Sequence, residues 1–478
     1  MLKALIVGAD AVEPKYIFNH SDKFPNIWSL IKEGASAEYS AYVQKGYTGS
    51  YLSEMNWSSI YTGLSPKEHK ILELNQDGIR ETPEMKLFSE SSPFWHLCNQ
   101  QGISTGIWAA DCCINPIEVD GYVVSAKYTM ISEPIEKRTA PRELQVCKKD
   151  EFVLDYISGT LPPRVYPKTL AQQGYVFEEL RQDDNLAWKA VENYHFQDAI
   201  SNFAEELDFY YNAIVNTQKE HPVNVLYFYT PTTDLIAHCC MCSDDNDVLL
   251  QAYQLLDEFI GKLRNELCPE NTLFLSDHGM VNFKDLIDCT DRNIQREAFA
   301  ARDEVLWLKN GYIAFEAHNG ALLFTAHGLK GTFVLAGKDI RHVRLNEMRT
   351  LDIYPTLLEL LGIEVPVERR GFVLDVFNRS VKNSAKLLKE KEVRYQSIAL
   401  IQCHQPSTTD IILNELYIEK RFSKITLVGE EKYKEIFLHN PRVFAFVSYE
   451  NFHSEEYDEV YCGMHNEATK EMKHMRIK

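Results

Sequence analysis

The sequence has no apolar run that approaches the roughly 20 residues needed to cross a bilayer, so we expect no membrane span. Basic residues are scarce: 50 Lys and Arg stand against 69 Asp and Glu, a formal net charge of −19. That balance argues against general nucleic-acid binding and against docking on anionic membranes. The 22 Gly and 18 Pro follow no triplet period, which excludes collagen. With 45% hydrophobic residues, the chain is expected to be globular.

The sequence also lacks a recognisable export signal. MLKALIVGAD has one Lys, a short apolar run and acidic Asp10 directly after it, which is typical of a buried strand. The eleven Cys are an odd number, which fits poorly with a disulfide framework. Cys239, Cys240 and Cys242 are followed by no second Cys pair at zinc-finger spacing, so they are interpreted as buried thiols of a helix. We therefore expect a cytoplasmic protein with reduced thiols.

Strand-like and helix-like segments alternate along the first 378 residues. Branched apolar runs predict buried strands of a mostly parallel sheet, at 3–8, 103–109, 224–230, 272–276 and 331–337. Helical spacing occurs at 24–33, 57–63, 93–101, 247–267 and 348–362. This alternation predicts an α/β fold, a doubly wound sheet with helices on both faces.

The alternation is interrupted twice, which predicts the domain organisation. A charged stretch with LPPRVYP, at about 118–222, is interpreted as an inserted cap on a catalytic domain of residues 1–378. Residues 379–394 are polar and Lys-rich and are interpreted as a linker. Residues 395–478 restart the pattern as a smaller Rossmann-like α/β accessory domain. Because that domain is expected to stop after four strands, pairing with another chain, as in a homo-oligomer, stays open.

Asp and His residues directly follow predicted strands in four short segments. These are GAD with Asp10, TTDLIAH with Asp234 and His238, SDHGM with Asp277 and His278, and AHG with His327. Ligands of doubly wound folds bind beyond the carboxyl ends of the strands. Three carboxylates and three imidazoles suit Zn²⁺ or Mn²⁺, and six ligands divide naturally into two sites of three. Such cations would offset the acidic charge and allow a small phosphate-bearing substrate.

Each segment also has a simpler interpretation. An Asp after a strand is usually a helix cap or a turn residue. Asp234 and His238 could share a helix face by chance, and SDHG could be a β-turn. The occurrence of all four segments at strand ends of one predicted sheet favours a metal site over these alternatives.

The order of these motifs resembles the alkaline phosphatase superfamily, in its type I phosphodiesterase and nucleotide pyrophosphatase branch. That pattern has a first-strand Asp, a Ser or Thr nucleophile before a TG-containing helix, Asp-x-x-x-His, Ser-Asp-His-Gly and a late His-Gly. SEMNWSSIYTGLSPKEHKI at 53–71 is similar to the nucleophile region. AHGLKGTFVLAGKDI and LDIYPTLLELLGIEVP are similar to the closing segment. The resemblance covers about residues 1–378 without the insertion and implies an alkaline phosphatase-like fold.

The resemblance implies roles for individual residues. Ser53 matches the nucleophile, and two divalent ions, Zn²⁺ or else Mn²⁺, are implied. One ion would be held by Asp234, His238 and His327, and the other by Asp10, Asp277, His278 and the Ser53 oxygen. A helix beginning near Asn56 would point backbone N–H groups at the phosphoryl oxygens, so we predict that Asn56 contributes to substrate binding.

Several positions depart from the family pattern. Ala11, Met55 and Lys70 stand where the family commonly has Gly, Pro and Gly, which indicates a divergent member. The alternative nucleophiles near Ser53 are Thr48, Ser50, Ser58 and Ser59. The aromatic-rich run at 194–211 is interpreted as the core of the cap, with base stacking by Phe203, Phe209 or Tyr210 as the alternative.

We therefore expect a two-metal phosphohydrolase that cleaves a phosphodiester or a nucleotide pyrophosphate through a phosphoseryl intermediate. Alternatives within the superfamily are a phosphomonoesterase, a phosphonate hydrolase and a phosphotransferase. An inactive scaffold that recruits a partner is the alternative from another class. An inactive site has no need to retain all six Asp and His ligands, which argues against the scaffold.

Overall fold

A computed structural model describes the protein over most of its predicted elements. The described residues are 1–42, 52–69, 93–110, 119–124, 139–140, 196–239, 248–282, 304–307, 313–316, 322–323, 325–328, 330–346, 348–388, 396–402, 409, 412–413, 416–417, 420, 423–438, 442–466 and 471–476. Thr48, Ser50, Lys70, Cys240 and Cys242 lie outside them. The predictions made for these five positions therefore stay predictions.

The catalytic domain alternates strands and helices as expected. Its described strands are β1 (Ala4–Ala9), β2 (Ala35–Ser40), β3 (Thr105–Trp108), β4 (Gly121–Val124), β5 (Thr139–Ala140), β6 (Val225–Thr230), β7 (Asn271–Leu275), β8 (Gly279–Asn282), β9 (Glu304–Trp307), β10 (Ile313–Glu316), β11 (Leu322–Leu323), β12 (Thr325–Gly328), β13 (Lys330–Gly337) and β14 (Val343–Arg344). Its described α-helices are α1 (Pro14–Asn19), α2 (Pro25–Glu33), α3 (Leu52–Thr62), α4 (Pro66–His69), α5 (Phe94–Gln100), α6 (Phe196–Glu220), α7 (Thr232–Cys239), α8 (Val248–Leu267) and α9 (Ile353–Leu360).

Nine of these strands form one central sheet, in the order β14-β2-β13-β7-β1-β6-β3-β4-β5. The central strand β1 runs parallel to both β6 and β7, and β3 runs parallel to β6 and β4. Strand β13 is antiparallel to both of its neighbours, β7 and β2. Every residue of β1 and β6 is buried, as expected when helices cover both faces of a sheet. The prediction of a doubly wound, mostly parallel sheet is confirmed.

Each face of the sheet carries its own hydrophobic core. One face packs against α3, α5 and α9, with Trp57 and Leu357 among the buried residues. The other face packs against α2, α6 and α8, with Ile214 and Leu256 in the core. These two layers fix the sheet, and with it the strand ends that carry Asp and His.

The predicted cap is too wide at both ends. Strand β4 continues the central sheet beside β3, although it lies inside the predicted 118–222 insertion. Helix α6 packs against the sheet, with Phe203 and Tyr210 only 0% and 4% exposed. These two rings belong to the core and cannot stack on a nucleotide base, and Phe209 is partly buried beside them.

The predicted linker at 379–394 is also partly wrong. The Asn383 side-chain amide donates hydrogen bonds to Glu359 Oε2 at 2.8 Å and to the Ile363 carbonyl at 3.0 Å. Leu388 is buried in the core of the catalytic domain. This polar segment is therefore packed on the catalytic domain, where the buried carboxylate of Glu359 on α9 binds it. The catalytic domain extends at least to residue 388.

The C-terminal unit forms a separate five-stranded sheet. Its strands are β15 (Gln396–Ile401), β16 (Ser423–Gly429), β17 (Val443–Ser448), β18 (Glu459–Asn466) and β19 (Glu471–Arg476), with helix α10 (Lys434–Leu438). The order is β17-β16-β15-β18-β19, and β19 is antiparallel to β18. The expectation that this unit stops after four strands is wrong, because β19 pairs with β18. An oligomeric state stays a prediction.

One cysteine departs from the expected thiol state. Cys462 on β18 is disulfide-bonded, so the expectation of reduced thiols is wrong at that position. Cys98 and Cys268 are free thiols.

Among the described residues, no helix combines the length and the apolar character that a bilayer span requires. The cytoplasmic location stays a prediction.

Candidate active site

Three neighbouring strands bring the Asp and His motifs to one edge of the sheet. Asp10 directly follows β1, and Asp277 comes two residues after β7. Helix α7, which carries Asp234, begins two residues after β6. Because β7, β1 and β6 are parallel and adjacent, their carboxyl ends lie side by side. His327 reaches the same place from β12, which pairs with β8 just after His278.

A tight turn after β1 orients Asp10. The Asp10 N–H donates to the Thr230 carbonyl at 3.0 Å, and the Thr233 hydroxyl donates to the Asp10 carbonyl at 2.5 Å. Ala11 has a φ of 56°, and its N–H donates to Asp277 Oδ1 at 3.2 Å. This left-handed conformation costs an ordinary residue about 1–2 kcal/mol and glycine almost nothing. It explains why glycine is the common residue where this chain has Ala11.

Helix α3 places Ser53 beside Asp10. The predicted helix started near Asn56, but α3 begins at Leu52, so Ser53 lies in its first turn. Trp57, 0% exposed, packs so closely on β1 that a Cβ on Gly8 would lie 2.7 Å from its ring. The Ser53 Oγ is 3.1 Å from Asp10 Oδ1 and 3.2 Å from His278 Nε2. The hydroxyl therefore faces two of the predicted metal ligands.

Two clusters of candidate ligand atoms lie next to each other. In the first, Asp234 Oδ1 is 3.3 Å from His238 Nε2 and 3.5 Å from His327 Nε2. The two imidazole Nε2 atoms are 2.8 Å apart. In the second, His278 Nε2 is 3.3 Å from Asp10 Oδ1 and 3.2 Å from Asp277 Oδ2. The structure thus brings together all seven residues predicted to bind metal.

These separations fit the donor set of a divalent cation. Ligand atoms at about 2.0–2.1 Å from one tetrahedral ion lie roughly 3.3 Å from each other. Most of the carboxylate, imidazole and hydroxyl pairs here fall at 3.1–3.5 Å. Asp234 Oδ1 and Asp277 Oδ2 are buried without a hydrogen-bond donor among the described residues. Because buried carboxylates need a cation or donors, the residues fit two adjacent metal sites.

His278 and His327 are in the neutral form that a metal requires. His278 Nδ1 lies 3.0 Å from the Gly279 carbonyl, which favours the tautomer with the proton on Nδ1 and leaves Nε2 as the ligand. Burial lowers the pKa of His278 to about 4. Burial and the neighbouring charge of His278 lower the pKa of His327 to about 4. Both imidazoles are therefore neutral at physiological pH, which is the form that binds metals.

The carboxylates repel one another where they converge. Burial, together with the charge of Asp234, raises the pKa of Asp10 to about 7. Burial and the charge of Asp10 raise the pKa of Asp277 well above its usual range. Burial opposes ionisation of Asp234, but His238 and His327 hold its pKa well below the ordinary value. A pair of cations would offset this concentration of buried negative charge.

Three other predicted positions lie away from the ligand clusters. Asn56 is 0% exposed, and its side chain pairs with both backbone groups of Tyr42, at 2.8 and 2.9 Å. Its side-chain amide is therefore committed to the fold, and substrate binding at Asn56 stays a prediction. Ser58 and Ser59 are both 0% exposed, and Ser59 Oγ lies 3.3 Å from His69 Nε2. Neither hydroxyl faces the metal ligands as Ser53 does.

Two residues that the sequence did not single out support the ligands. The Tyr229 hydroxyl donates to Asp10 Oδ2. Glu13 Oε2 accepts a hydrogen bond from the Met280 N–H at 3.0 Å, two residues after His278. The only signal for either was position: Tyr229 precedes the last residue of β6, and Glu13 follows Asp10 by three residues.

Comparison with known proteins relates this chain to one family. The family model described as type I phosphodiesterase / nucleotide pyrophosphatase matches residues 4–357. Among curated proteins, none matches the chain. Human ectonucleotide pyrophosphatase / phosphodiesterase 5 is a similar solved structure, with 14% identity and a TM-score of 0.42 over 77% of this chain and 97% of that chain. An inactive variant of the murine protein, in complex with AMP, has 14% identity and a TM-score of 0.41 over 77% of this chain and 98% of that chain.

The family match spans the strands and motifs that build the site, from β1 through the late His-Gly to α9. The family is metal-dependent. The described residues include two overlapping groups that could hold a metal ion, Asp234 with His278 and His327, and Asp10 with Asp277 and His278. The chain belongs to the type I phosphodiesterase / nucleotide pyrophosphatase family, a family of phosphodiester hydrolases.

Proposed function

We propose that this protein is a two-metal hydrolase that cleaves a phosphodiester or a nucleotide pyrophosphate through a phosphoseryl intermediate on Ser53. The observation that carries the proposal is the position of the Ser53 hydroxyl, 3.1 Å from Asp10 and 3.2 Å from His278, beside the second group of ligands. A nucleophilic hydroxyl among the ligands of one of two adjacent cation sites suits an in-line displacement at phosphorus.

The ligands would divide between two ions. Asp234, His238 and His327 would hold one ion, and Asp10, Asp277, His278 and the Ser53 oxygen would hold the other. When bound, divalent cations neutralise phosphoryl charge and lower the pKa of a coordinated hydroxyl. The mixture of carboxylate and imidazole suits Zn²⁺ and also Mn²⁺. Zn²⁺ is the ion we propose.

The chain's own groups position the reaction. Asp10 Oδ1 holds the Ser53 hydroxyl toward the site. In the first step, the Ser53 oxygen bonds to phosphorus, the bond from phosphorus to the leaving oxygen breaks, and the leaving group takes up a proton. In the second step, water attacks the phosphoserine, and Ser53 leaves with its proton restored. The first-turn N–H groups of α3 favour an anionic group next to Ser53.

Hydrolysis of bis-p-nitrophenyl phosphate, compared with p-nitrophenyl phosphate, tests this proposal. Wild type, Ser53→Ala and Ser59→Ala are assayed with Zn²⁺ or Mn²⁺ and after chelation, with metal content measured in parallel. We expect metal-dependent turnover of the diester, lost by at least about a thousandfold in Ser53→Ala and retained in Ser59→Ala.

Other results would redirect the assignment. A preference for the monoester would indicate a phosphatase, and full activity of Ser53→Ala would reject the phosphoseryl intermediate. Wild-type protein that takes up no stoichiometric metal and turns over neither substrate would favour the inactive scaffold. If the diester is turned over, a p-nitrophenyl ester of a nucleoside monophosphate tests whether the substrate is a nucleotide.

A further inference from the structure

Two buried arginines join the C-terminal unit to the catalytic domain around one tyrosine. Arg349, 2% exposed, belongs to the catalytic domain and donates through Nη1 to the carbonyl of Tyr417. Its guanidinium carbon lies 4.6 Å from the Tyr417 ring centroid. Arg442, 4% exposed, belongs to the C-terminal unit and lies 5.5 Å from the same centroid. Tyr417 is therefore in contact with a cation from each domain.

Arg442 also reaches the end of a strand in the central sheet. Its Nη2 donates a buried hydrogen bond of 2.6 Å to the carbonyl of Ala41, which directly follows β2. The two residues are 401 positions apart in the chain. A guanidinium that donates to a buried carbonyl forms a charge-assisted bond, and losing it leaves the carbonyl without this donor.

The next residue connects this contact to the helix of Ser53. The backbone of Tyr42 is held by the Asn56 side chain at both its N–H and its carbonyl, at 2.8 and 2.9 Å. Asn56 lies on α3, three residues after Ser53. The Thr350 hydroxyl, next to Arg349, donates to Asn56 Oδ1 at 3.1 Å. Arg442, through Ala41, and Arg349, through its neighbour Thr350, thus both lie next to the contact between Tyr42 and Asn56 that connects β2 to α3.

We propose that the C-terminal α/β unit supports catalysis by bracing α3, with Arg442 as a positioning residue for Ser53. This inference rests on the proposed role of Ser53 as the nucleophile. It gives a function to a unit that lies beyond residue 357, where the family match ends. A displacement of a nucleophile by about 1 Å can lower the rate about a hundredfold, so a small shift of α3 would reach catalysis through the position of Ser53.

The test compares Arg442→Ala and Arg442→Lys with Arg476→Ala, all in the full-length chain. Arg476 lies on β19 of the same unit, and its side chain is 57% exposed. We measure kcat and KM for bis-p-nitrophenyl phosphate, bound metal, thermal stability and amide hydrogen exchange of α3. Arg442→Ala should lower kcat by about 10- to 100-fold, change KM less than threefold, and keep both metals.

Hydrogen exchange gives a readout that does not depend on turnover. Amides of α3 should exchange faster in Arg442→Ala, whereas those of β1 and β6 should stay as in wild type. Arg442→Lys keeps the charge without the planar fork and should fall between wild type and Arg442→Ala in kcat. If Arg442→Ala does not fold, the Lys variant decides by the same two readouts.

Two results would overturn the inference. One is a folded Arg442 variant with wild-type kcat and unchanged exchange of α3, and the other is an equal loss of kcat in Arg476→Ala. If the proposed function itself is wrong, Ser53→Ala keeps its activity, and this result does not depend on the activity of the Arg442 variants. If Ser53→Ala is inactive and the Arg442 variants keep wild-type kcat, the positioning role of Arg442 is rejected and the nucleophile role of Ser53 is kept.

Discussion

The hydroxyl of Tyr229 donates a hydrogen bond to Oδ2 of Asp10, which leaves Oδ1 of the same carboxylate facing the Ser53 hydroxyl. Tyr229 is 1% exposed and lies at the end of β6, next to β1 in the sheet. Its ring packs edge-on against Trp57, with centroids 4.9 Å apart. The tyrosine therefore fixes which oxygen of Asp10 is available to a cation.

Tyr229→Phe should weaken metal binding by about 10- to 100-fold, as loss of a hydrogen bond to a metal ligand typically does. Tyr227→Phe is the matched control, because Tyr227 is equally buried on the same strand but pairs its hydroxyl with Tyr61 at 2.8 Å. Competition with a metal-sensitive chelator dye measures the affinity. Equal weakening in both variants would show that Tyr229 acts through packing and not through Asp10.

Two glycines that follow metal-site histidines lie opposite each other in the β8–β12 pair, where Gly279 is the partner of Gly328. A Cβ on Gly279 would come within 2.3 Å of Glu13 Oε2 and 2.7 Å of the Lys330 carbonyl. A Cβ on Gly328 would come no closer than 2.9 Å to a described atom. The His-Gly pattern thus leaves room for the carboxylate that holds the Met280 amide.

Gly279→Ala should destabilise the protein by about 1–3 kcal/mol or more, because a backbone carbonyl is among the atoms it meets. Gly328→Ala should lower the free energy of unfolding by less than Gly279→Ala does. Gly102→Ala is the control, since Gly102 has a φ of +67° but no described atom within 4 Å of its Cβ position. Gly102→Ala should destabilise the protein only because alanine disfavours the left-handed conformation, by about 1–2 kcal/mol. Urea unfolding gives the three values, and the prediction fails if Gly102→Ala is the most destabilised.

The sequence was most informative where chemistry and local pattern coincide. Apolar runs located β1, β6 and β7, and parallel pairing then required Asp10, Asp234 and Asp277 to share one edge of the sheet. His327 was harder to place, because β12 belongs to a two-stranded sheet outside the central one. The expectation that His327 follows a strand of the same sheet is therefore wrong, and the family resemblance supplied its assignment to one ion.

The errors arose where tertiary contacts override composition. Strand β4 is only four residues long and adjoins a charged stretch, so it was assigned to the cap. A helix was expected to begin near Asn56, but α3 begins at Leu52, and the Asn56 side chain pairs with the Tyr42 backbone 14 residues earlier. Residues such as Glu13 act across more than 260 positions, and no local pattern reveals such a contact.

Removal of metal should lower the stability of the wild-type protein. A cation that binds only the folded state stabilises it by about 2.7 kcal/mol at a hundredfold excess over its Kd. Chelation should therefore lower the melting temperature, and Zn²⁺ or Mn²⁺ should restore it. The Asp234→Asn variant, with one ligand weakened, should gain less on adding metal. An unchanged melting temperature after complete metal removal, verified by elemental analysis, would contradict both proposed metal sites.

Glu206 connects α6 to the segment that carries Asp234. It is 2% exposed, and its carboxylate accepts hydrogen bonds from the hydroxyls of Thr230 at 3.3 Å and Thr232 at 2.7 Å. Burial raises its pKa from 4.5 to about 7 despite these two donors. Glu206 is not itself among the proposed metal ligands, so its titration can be followed in metal-free protein.

The sign of the pH effect follows from this raised pKa. Below about pH 4.5 the carboxyl is protonated in both the folded and the unfolded chain. As pH rises toward 7 the unfolded chain ionises first, so the stability contributed by the protonated form is progressively lost. A shift from 4.5 to about 7 corresponds to at most about 3 kcal/mol. Above that pH the contribution is constant.

Glu206→Gln should remove this dependence, because the amide stays neutral. Relative to wild type, the variant should gain stability between pH 4.5 and 7, by up to about 3 kcal/mol, and then stay level. The control is Glu33→Gln on α2, where the hydrogen bond from Arg264 lowers the pKa. Because a lowered pKa changes stability only below about pH 4.5, the difference between this variant and wild type should stay nearly constant from pH 4.5 to 7. Urea unfolding across this range, with chelator present, measures both. A Glu206→Gln curve parallel to wild type would show that Glu206 is not a buried, pKa-shifted carboxyl.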